Sequence, residues 1–387
     1  MKEVRIGVIG TGGMGSYHAW NILDGNIKGA RVAAVCDIVP GHMDQFGDKC
    51  KKFTDSRELI RSGEVDAVII ATPHYFHTTL GIDALSNGLH TLVEKPISVH
   101  KADCERLIAA HTDKNVVFSA MFNQRTDPHY IKLRQLLQSG ELGEITRVNW
   151  IITTWFRTQA YYNGGGWRAT WKGEGGGVLL NQCPHQLDLM QWLFGMPKTL
   201  RAFCDIAKWH DIEVEDNVTA YMTYPNGATG VFITTTGEAP GTNRLEVCGD
   251  RGRIIVEDGK ITWTRNEVGQ AEFLRTSKER FAKPPVWNID VPVGKDCGPQ
   301  HTGIIQNFID AILHGAPLIA PAEEGIRSVE LANAMLYSSM KDKTVEFPLD
   351  GVDFEKMLKE LIASSTFEKK TENTPTAAGM AGSFTHA

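Results

Sequence analysis

Apolar residues in the first third of the chain fall in short unbroken runs. Val4–Ile9, Val32–Cys36, Ala67–Ala71, Thr91–Val93 and Val116–Met121 are rich in Val and Ile, as strands buried on both faces are. Between them, Met14–Leu23, Thr79–Leu85 and Ala102–Ala110 predict helices. Strand–helix alternation implies βαβ units and a parallel sheet. The pattern changes after about Asp127. A helix is expected over His129–Ser139, followed by longer strand patterns at Ile145–Phe156, Leu200–Ile206, Val218–Tyr224, Thr229–Thr235, Leu245–Cys248, Ile254–Val256 and Ile261–Thr264. Turn signals such as Pro225-Asn226-Gly227 and Asp258-Gly259 join several of these, which points to antiparallel pairing. A helix around Val178–Phe194 interrupts the strands, and two more, near Thr302–His314 and Glu323–Lys341, close the domain. From Glu368 the chain is rich in Thr, Ala and Gly with little periodicity, so 368–387 is expected to be a disordered tail.

At roughly 100–200 residues per domain, 387 residues suggest two domains. The composition, 42% hydrophobic and 22% charged, is ordinary for a chain that buries its own core without disulfides or metal. A net charge of -6 argues against nucleic acid or an anionic membrane as partner. No apolar run is long enough to span a bilayer, and the N-terminus has no secretory pattern. The seven cysteines are scattered and never spaced as CxxC. They are read as reduced thiols of a cytoplasmic protein, with no metal site.

The first strand runs into Gly10-Thr11-Gly12-Gly13-Met14-Gly15, which opens a helix. Gly10 permits a tight turn, Gly12 lets the backbone approach a pyrophosphate, and Gly15 lets helix and strand pack closely. The helix N-terminus offers free N–H groups to phosphates. The second strand ends in Asp37, 22 positions after Gly15. A carboxylate there accepts hydrogen bonds from the adenosine ribose and repels a 2′-phosphate. Ile38 and Val39 bring no cation, so the expected cofactor is NAD rather than NADP. The next strand ends at a crevice with Thr72 and Pro73. His74 and His77, three apart and so on one helix face, are expected at the cofactor's edge.

A further strand ends in Glu94-Lys95-Pro96. Desolvation penalises a lysine at such a strand tip, and a lysine of lowered pKa can exchange a proton with, or donate to, a substrate hydroxyl. Glu94 would position it or contact the cofactor ribose; the plain alternative is a salt-bridged edge lysine. In Gly175-Gly176-Gly177-Val178-Leu179-Leu180-Asn181-Gln182-Cys183-Pro184-His185-Gln186-Leu187-Asp188 the glycines are expected to start a helix. Asn181, His185 and Asp188 would then share one face and line a site, unless the histidine is simply hydrogen-bonded in a core.

These motifs together resemble the Gfo/Idh/MocA family. The likeness rests on GTGGMG at 10–15, ATPHYFH at 71–77, Glu94-Lys95-Pro96, the GGG segment with His185, and the closing Asn307-Phe308-Ile309-Asp310-Ala311-Ile312 helix, spanning about 3–348. The resemblance implies an α/β N-terminal Rossmann domain, a doubly wound parallel sheet, over 1–125. It implies an α+β C-terminal domain with a large, mostly antiparallel open sheet over 126–348, through which the family forms dimers or tetramers. It also implies a catalytic lysine at Lys95 and a catalytic histidine at His185. Many relatives have an aspartate four residues before that histidine, where this chain has Asn181. Asparagine cannot accept a proton, so Asn181 is expected to hydrogen-bond a substrate hydroxyl.

The segment from Trp155-Phe156-Arg157 through Tyr161-Tyr162-Asn163 to Trp167-Arg168 and Trp171 is dense in aromatics. Aromatic faces pack on the C–H faces of sugars, and Arg and Asn bind their hydroxyls. Arg157 and Tyr161 are the expected substrate contacts, and Trp167 and Arg168 are expected to reach the cofactor phosphates. Asn123, and with it Gln124 and Arg125, follows the fifth strand and is expected to face the cleft, as more weakly is His301. This stretch resembles the family branch that oxidises C3 of glucosides. The expected function is NAD-dependent oxidation of a secondary hydroxyl of a sugar or glycoside to a ketone, or the reverse. The alternatives are an inositol or free polyol dehydrogenase, an NAD-recycling redox glycosidase, and a non-catalytic dinucleotide-binding regulator.

Overall fold

The computed structural model describes residues 2–294 and 296–370; the tail expected from Glu368 lies, beyond Lys370, outside the described residues. The elements in chain order are β1 (Val4–Ile9), α1 (Gly13–Leu23), β2 (Ala30–Cys36), β3 (Lys51–Phe53), α2 (Ser56–Arg61), β4 (Ala67–Ile70), α3 (His74–Ser86), β5 (His90–Val93), α4 (Lys101–Ala109), β6 (Phe118–Ala120), α5 (Pro128–Gln138), β7 (Ile145–Ile152), α6 (Gln159–Asn163) and α7 (Pro184–Phe194). They continue with β8 (Thr199–Ile206), β9 (Glu215–Thr223), β10 (Thr229–Thr235), β11 (Asn243–Gly249), β12 (Gly252–Glu257), β13 (Lys260–Asn266), α8 (Gln270–Thr276), β14 (Val286–Val291), α9 (Gln300–His314), α10 (Gly325–Met340), β15 (Val345–Glu346) and α11 (Gly351–Ser364).

The first six strands form one parallel sheet in the order β3-β2-β1-β4-β5-β6. Ile6, Val8, Val68 and Ile69 at its centre are fully buried, because helices cover both faces. The order reverses between β1 and β4. Crossovers leave that point in opposite directions, which opens a crevice at the strand C-termini. Helix α9, from far along the chain, returns to this sheet through Ile304, Ile305, Phe308 and Ile309.

The second sheet has nine strands, in the order β14-β13-β12-β11-β7-β10-β9-β8-β15. Its pairings are antiparallel except β7 with β10, which run parallel. Side chains alternate along it. Val218, Ala220 and Met222 of β9 point into a core shared with Trp150, Leu187, Leu189 and Met335, and Tyr221 points out.

Several expectations change. Strand β3 has only three residues, and β14 carries mostly exposed side chains, so neither leaves a clear apolar signature. Helix α3 begins at His74, five residues before the expected start. Helix α11 lies past residue 348 and buries Phe354, Met357 and Leu358 in the second core. The largest difference concerns the glycine-rich segment, which does not open a helix. Gly175 sits at φ +80°, and the N–H groups of Gly177 and Leu179 are held by the Glu215 carboxylate at 2.8 and 3.1 Å. Helix α7 starts only at Pro184, whose ring favours the first helical position and disfavours a helical residue before it.

Candidate active site

The crevice is built by the turn between β1 and α1. Gly10 has φ +86°, and a Cβ there would stand 2.7 Å from the Ala71 carbonyl oxygen. A Cβ on Gly15 would stand 1.7 Å from the Gly10 carbonyl oxygen, so only glycine lets α1 pack this closely. A Cβ on Gly12 would meet nothing within 4 Å. Gly12 therefore borders open space, as a backbone that receives a phosphate must. Gly13 and Met14 begin α1, whose first turn has no side-chain cap and keeps its N–H groups for a ligand.

Asp37, at the end of β2, accepts from the Thr11 and Val39 N–H groups at 2.8 and 2.9 Å. Burial alone would raise its carboxyl, but these bonds and His42 hold it below the ordinary aspartate range. Nδ1 of His42 lies 3.2 Å from it. Thr72 lies against the Gly10 turn, beside Pro73, and its hydroxyl is buried without a partner. An orphaned hydroxyl beside an open glycine turn fits a bound polar group, so the residues present suit a dinucleotide.

The histidines expected at the cofactor's edge divide. Both ring nitrogens of His77 face main-chain carbonyls, Nδ1 that of Pro96 and Nε2 that of Thr72, each at 2.8 Å. It braces two crevice loops and has no nitrogen left for a cofactor, which corrects the expectation. His74 is buried with its Nδ1 unpartnered and its ring 5.1 Å from Trp167, edge to face. Burial, then His77 and Lys95, push it well below the ordinary imidazole range.

Glu94 and Lys95 follow strand β5 directly. Glu94 Oε1 lies 2.6 Å from Nε2 of His18, on α1, and Oε2 accepts from the Lys95 N–H. Burial would raise this carboxyl, but His18 draws it down to about 2. No local motif marks His18, whose partner lies 76 positions away. The ring of His301, on α9, lies 5.8 Å from that of His18. Burial takes His301 down to about 4, though Glu94 opposes this.

The Lys95 ammonium donates to the Asn181 main-chain carbonyl at 2.9 Å. Burial lowers its pKa; Glu94 and Glu174 oppose the shift and Arg168 adds to it. His185 is the second residue of α7 and 8% exposed, with its Nδ1 unpartnered. Burial first, then Lys95 and His301, hold it well below the usual range, so it is neutral at neutral pH. The two proposed centres thus come from the loop after β5 and from α7, and fall within electrostatic reach of one another.

Of the three residues expected on one helix face, only His185 and Asp188, three apart, lie in α7. Asn181 precedes α7, donates to Glu174 Oε1, and accepts from the Tyr161 hydroxyl at 3.2 Å. Asp188 forms a buried ion pair with Arg125 and is a strut rather than a site wall. Arg125 therefore does not face the cleft, and Gln124 is paired with Gln186. Asn123 donates to Gln300 at 2.6 Å and leaves its Oδ1 unpartnered.

In the aromatic segment, Arg168 donates to the Tyr161 hydroxyl at 2.8 Å, and its guanidinium lies over Tyr161 and Trp167. It lies within electrostatic reach of Lys95. Arg157 also lies over Tyr161, 5.2 Å from the ring centre. Trp155, Tyr162 and Trp171 belong to the core. Two buried carboxyls escaped the sequence reading. Glu174 is 1% exposed and bonded to Asn181. Glu215 holds the glycine segment, and burial raises it to about 7. Among the described residues, no group of three or more His, Cys, Asp or Glu could hold a metal, and no helix is long and apolar enough to cross a membrane.

Residues 4–122 match the model of an oxidoreductase family with an NAD-binding Rossmann fold, and residues 130–255 match the GFO/IDH/MocA C-terminal domain. The chain is similar to myo-inositol 2-dehydrogenase of Thermotoga maritima, at 27% identity over 268 residues, covering 67% of this chain and 77% of that protein. Its fold is that of the WlbA dehydrogenase from Bordetella pertussis, solved with NADH and UDP-GlcNAcA. The TM-score there is 0.75 at 23% identity, covering 90% of this chain and all, 100%, of the other. Levoglucosan dehydrogenase, solved with NADH and levoglucosan, aligns with a TM-score of 0.73 at 20% identity, over 90% of this chain and 100% of that one.

Proposed function

Because the chain belongs to the GFO/IDH/MocA family of NAD-binding oxidoreductases, we propose that it oxidises a secondary hydroxyl of a sugar or glycoside, C3 of a glucoside first, or reduces the ketone. The observation that carries this reading is the approach of a buried ammonium, Lys95, and a neutral imidazole, His185, at the mouth of the dinucleotide crevice.

The 10–15 turn, Asp37 and Thr72 would hold the dinucleotide, with His74, Glu94, Asn123 and Trp167 along its length. A bound nicotinamide would supply the hydride acceptor for the carbinol carbon. Lys95 donates a hydrogen bond to the reacting oxygen and stabilises its growing negative charge. His185 removes the hydroxyl proton, which a neutral imidazole can do and an imidazolium cannot. Asn181, Tyr161, Arg157 and Arg168 bind the remaining hydroxyls. The aromatic faces of Tyr161 and Trp167 suit a sugar ring.

The inositol dehydrogenase likeness favours a second reading, a cyclic polyol as substrate. The experiment is a panel of free sugars, methyl glucosides and inositols with NAD, followed by reduced-nicotinamide absorbance and product mass. A 3-keto glycoside supports the first reading and an inosose the second. Release of aglycone without net NADH would indicate an NAD-recycling glycosidase. Binding of NAD without turnover of any polyol would leave a regulator. We also assign the outer face of the nine-stranded sheet, where Phe203 and Tyr221 are exposed, to contact with a second copy in a dimer or tetramer. Sedimentation of Phe203→Asp as a monomer would support this, and an unchanged assembly would sink it.

A further inference from the structure

A buried ammonium needs a counter-charge, because the desolvation it suffers is otherwise uncompensated. Glu94, adjacent to Lys95, is committed to His18 through one oxygen and to a main-chain N–H through the other. The second carboxylate within electrostatic reach of Lys95 is Glu174, in the segment between α6 and α7. Its Oε1 accepts from Nδ2 of Asn181, and its Oε2 accepts from the Ala169 N–H at 2.6 Å. Asn181 in turn gives its main-chain carbonyl to the Lys95 ammonium at 2.9 Å and its Oδ1 to the Tyr161 hydroxyl. One uncharged residue thus bridges a buried carboxylate and a buried ammonium.

The groups facing Glu174 are mostly cationic. Arg168 and Lys369 act on it electrostatically. Lys369 arrives from the segment after α11 and donates to the Arg168 carbonyl at 2.6 Å. The ring of His74, on α3, bonds to the Glu174 main chain. The Tyr162 hydroxyl and the Glu215 carboxyl also feel its charge. Burial raises the Glu174 carboxyl, and Arg168 and Asn181 draw it back.

We propose that Glu174 is the positioning residue and counter-ion of the Lys95 ammonium, acting through Asn181. The assignment builds on the reading of Lys95 as the group that binds the reacting oxygen. It fixes the Asn181 amide, so that the carbonyl faces Lys95 and Oδ1 faces Tyr161. It also keeps Lys95 protonated at a depth where burial opposes the charge.

The test uses the full chain and no substrate, so it stands whether or not the sugar panel finds one. Trace acetylation with acetic anhydride is followed across pH, and the midpoint for Lys95 is read by peptide mass spectrometry. Glu174→Gln is expected to lower that midpoint by about one pH unit. Adding Asn181→Asp returns a carboxylate to the same hydrogen bond with donor and acceptor exchanged, and is expected to restore the midpoint. An unmoved midpoint in folded Glu174→Gln, or a double variant that leaves it low, overturns the proposal. If Glu174→Gln does not fold, a folded double variant with the wild-type midpoint supports it. A double variant that also fails to fold assigns Glu174 to packing alone and overturns it.

Discussion

Arg125 and Asp188 form a bidentate ion pair, Nε to Oδ2 at 2.7 Å and Nη2 to Oδ1 at 2.6 Å, with each side chain 1% exposed. It ties the turn after β6, in the parallel sheet, to α7, one helical turn beyond His185. The pair therefore fixes the imidazole relative to the strand that leads into Lys95. Arg125 keeps a second, partly exposed partner in Glu324, so Asp188→Asn is expected to cost less in denaturant unfolding than the about 3–5 kcal/mol of a fully stranded charge. Arg125→Met with Asp188→Leu should recover most of that stability, because apolar pairs of similar volume replace buried ion pairs at little cost. Turnover should stay low in the recovered protein. Full activity in that double variant would mean the pair has no part in placing His185.

The depressed values of Lys95 and His185 set a bell-shaped pH profile for kcat/KM. With His185 as the proposed neutral base, activity is expected to fall as pH drops through a value below the ordinary imidazole range. With Lys95 as the proposed ammonium donor, activity is expected to fall again as pH rises through a value below the ordinary lysine range. Lys95→Met should remove the alkaline limb and His185→Asn the acidic one. Each should lower kcat by about 10²–10⁴-fold, with NAD binding by calorimetry unchanged. Retention of either limb by its variant contradicts the corresponding role.

The Glu94–His18 contact makes a stability prediction. The Glu94 carboxyl falls from an ordinary 4.5 to about 2 on folding. Its contribution is therefore complete above about 4.5 and lost as pH falls through about 2. Glu94→Gln should be less stable than the parent at neutral pH by on the order of 3 kcal/mol. The gap should close as both proteins are titrated toward pH 2. A gap that persists at the acid end would assign the loss to packing instead of charge.

Asp37 is the proposed partner of the cofactor's adenosine ribose. Asp37→Ala removes the acceptor for ribose hydroxyls and the repulsion of a 2′-phosphate, and it leaves His42 as a nearby donor. NAD affinity should fall and NADP affinity rise, narrowing the preference by about tenfold or more. Fluorescence titration with the two dinucleotides measures it; a preference that stays unchanged would locate the discrimination elsewhere.

The parallel sheet was legible because its strands are buried on both faces, and Val-rich runs such as Val4–Ile9 signal this directly. The nucleotide turn was legible because its chemistry is local: Gly10, Gly12 and Gly15 each answer a constraint set within a few residues or by the adjoining strand. The helix start near Val178 was misplaced because an apolar run suggests a helix. What ends it is tertiary: the Gly177 and Leu179 N–H groups are taken by Glu215, from β9. Likewise His18 and Glu174 gained their meaning only once folding brought them to Glu94 and Asn181. Their immediate sequence neighbours carry no trace of those partners.

Helix α11 and the few residues after it fold back to seat Lys369 on the loop that bears Arg168. A proteolytic nick just past Ser364 would spare every strand and helix of the fold, so melting curves and chromatograms would look sound. The clipped molecule would nonetheless meet its substrate with one fewer cation against that loop. Intact-mass measurement of each preparation is thus as informative about its catalytic quality as any assay of folding.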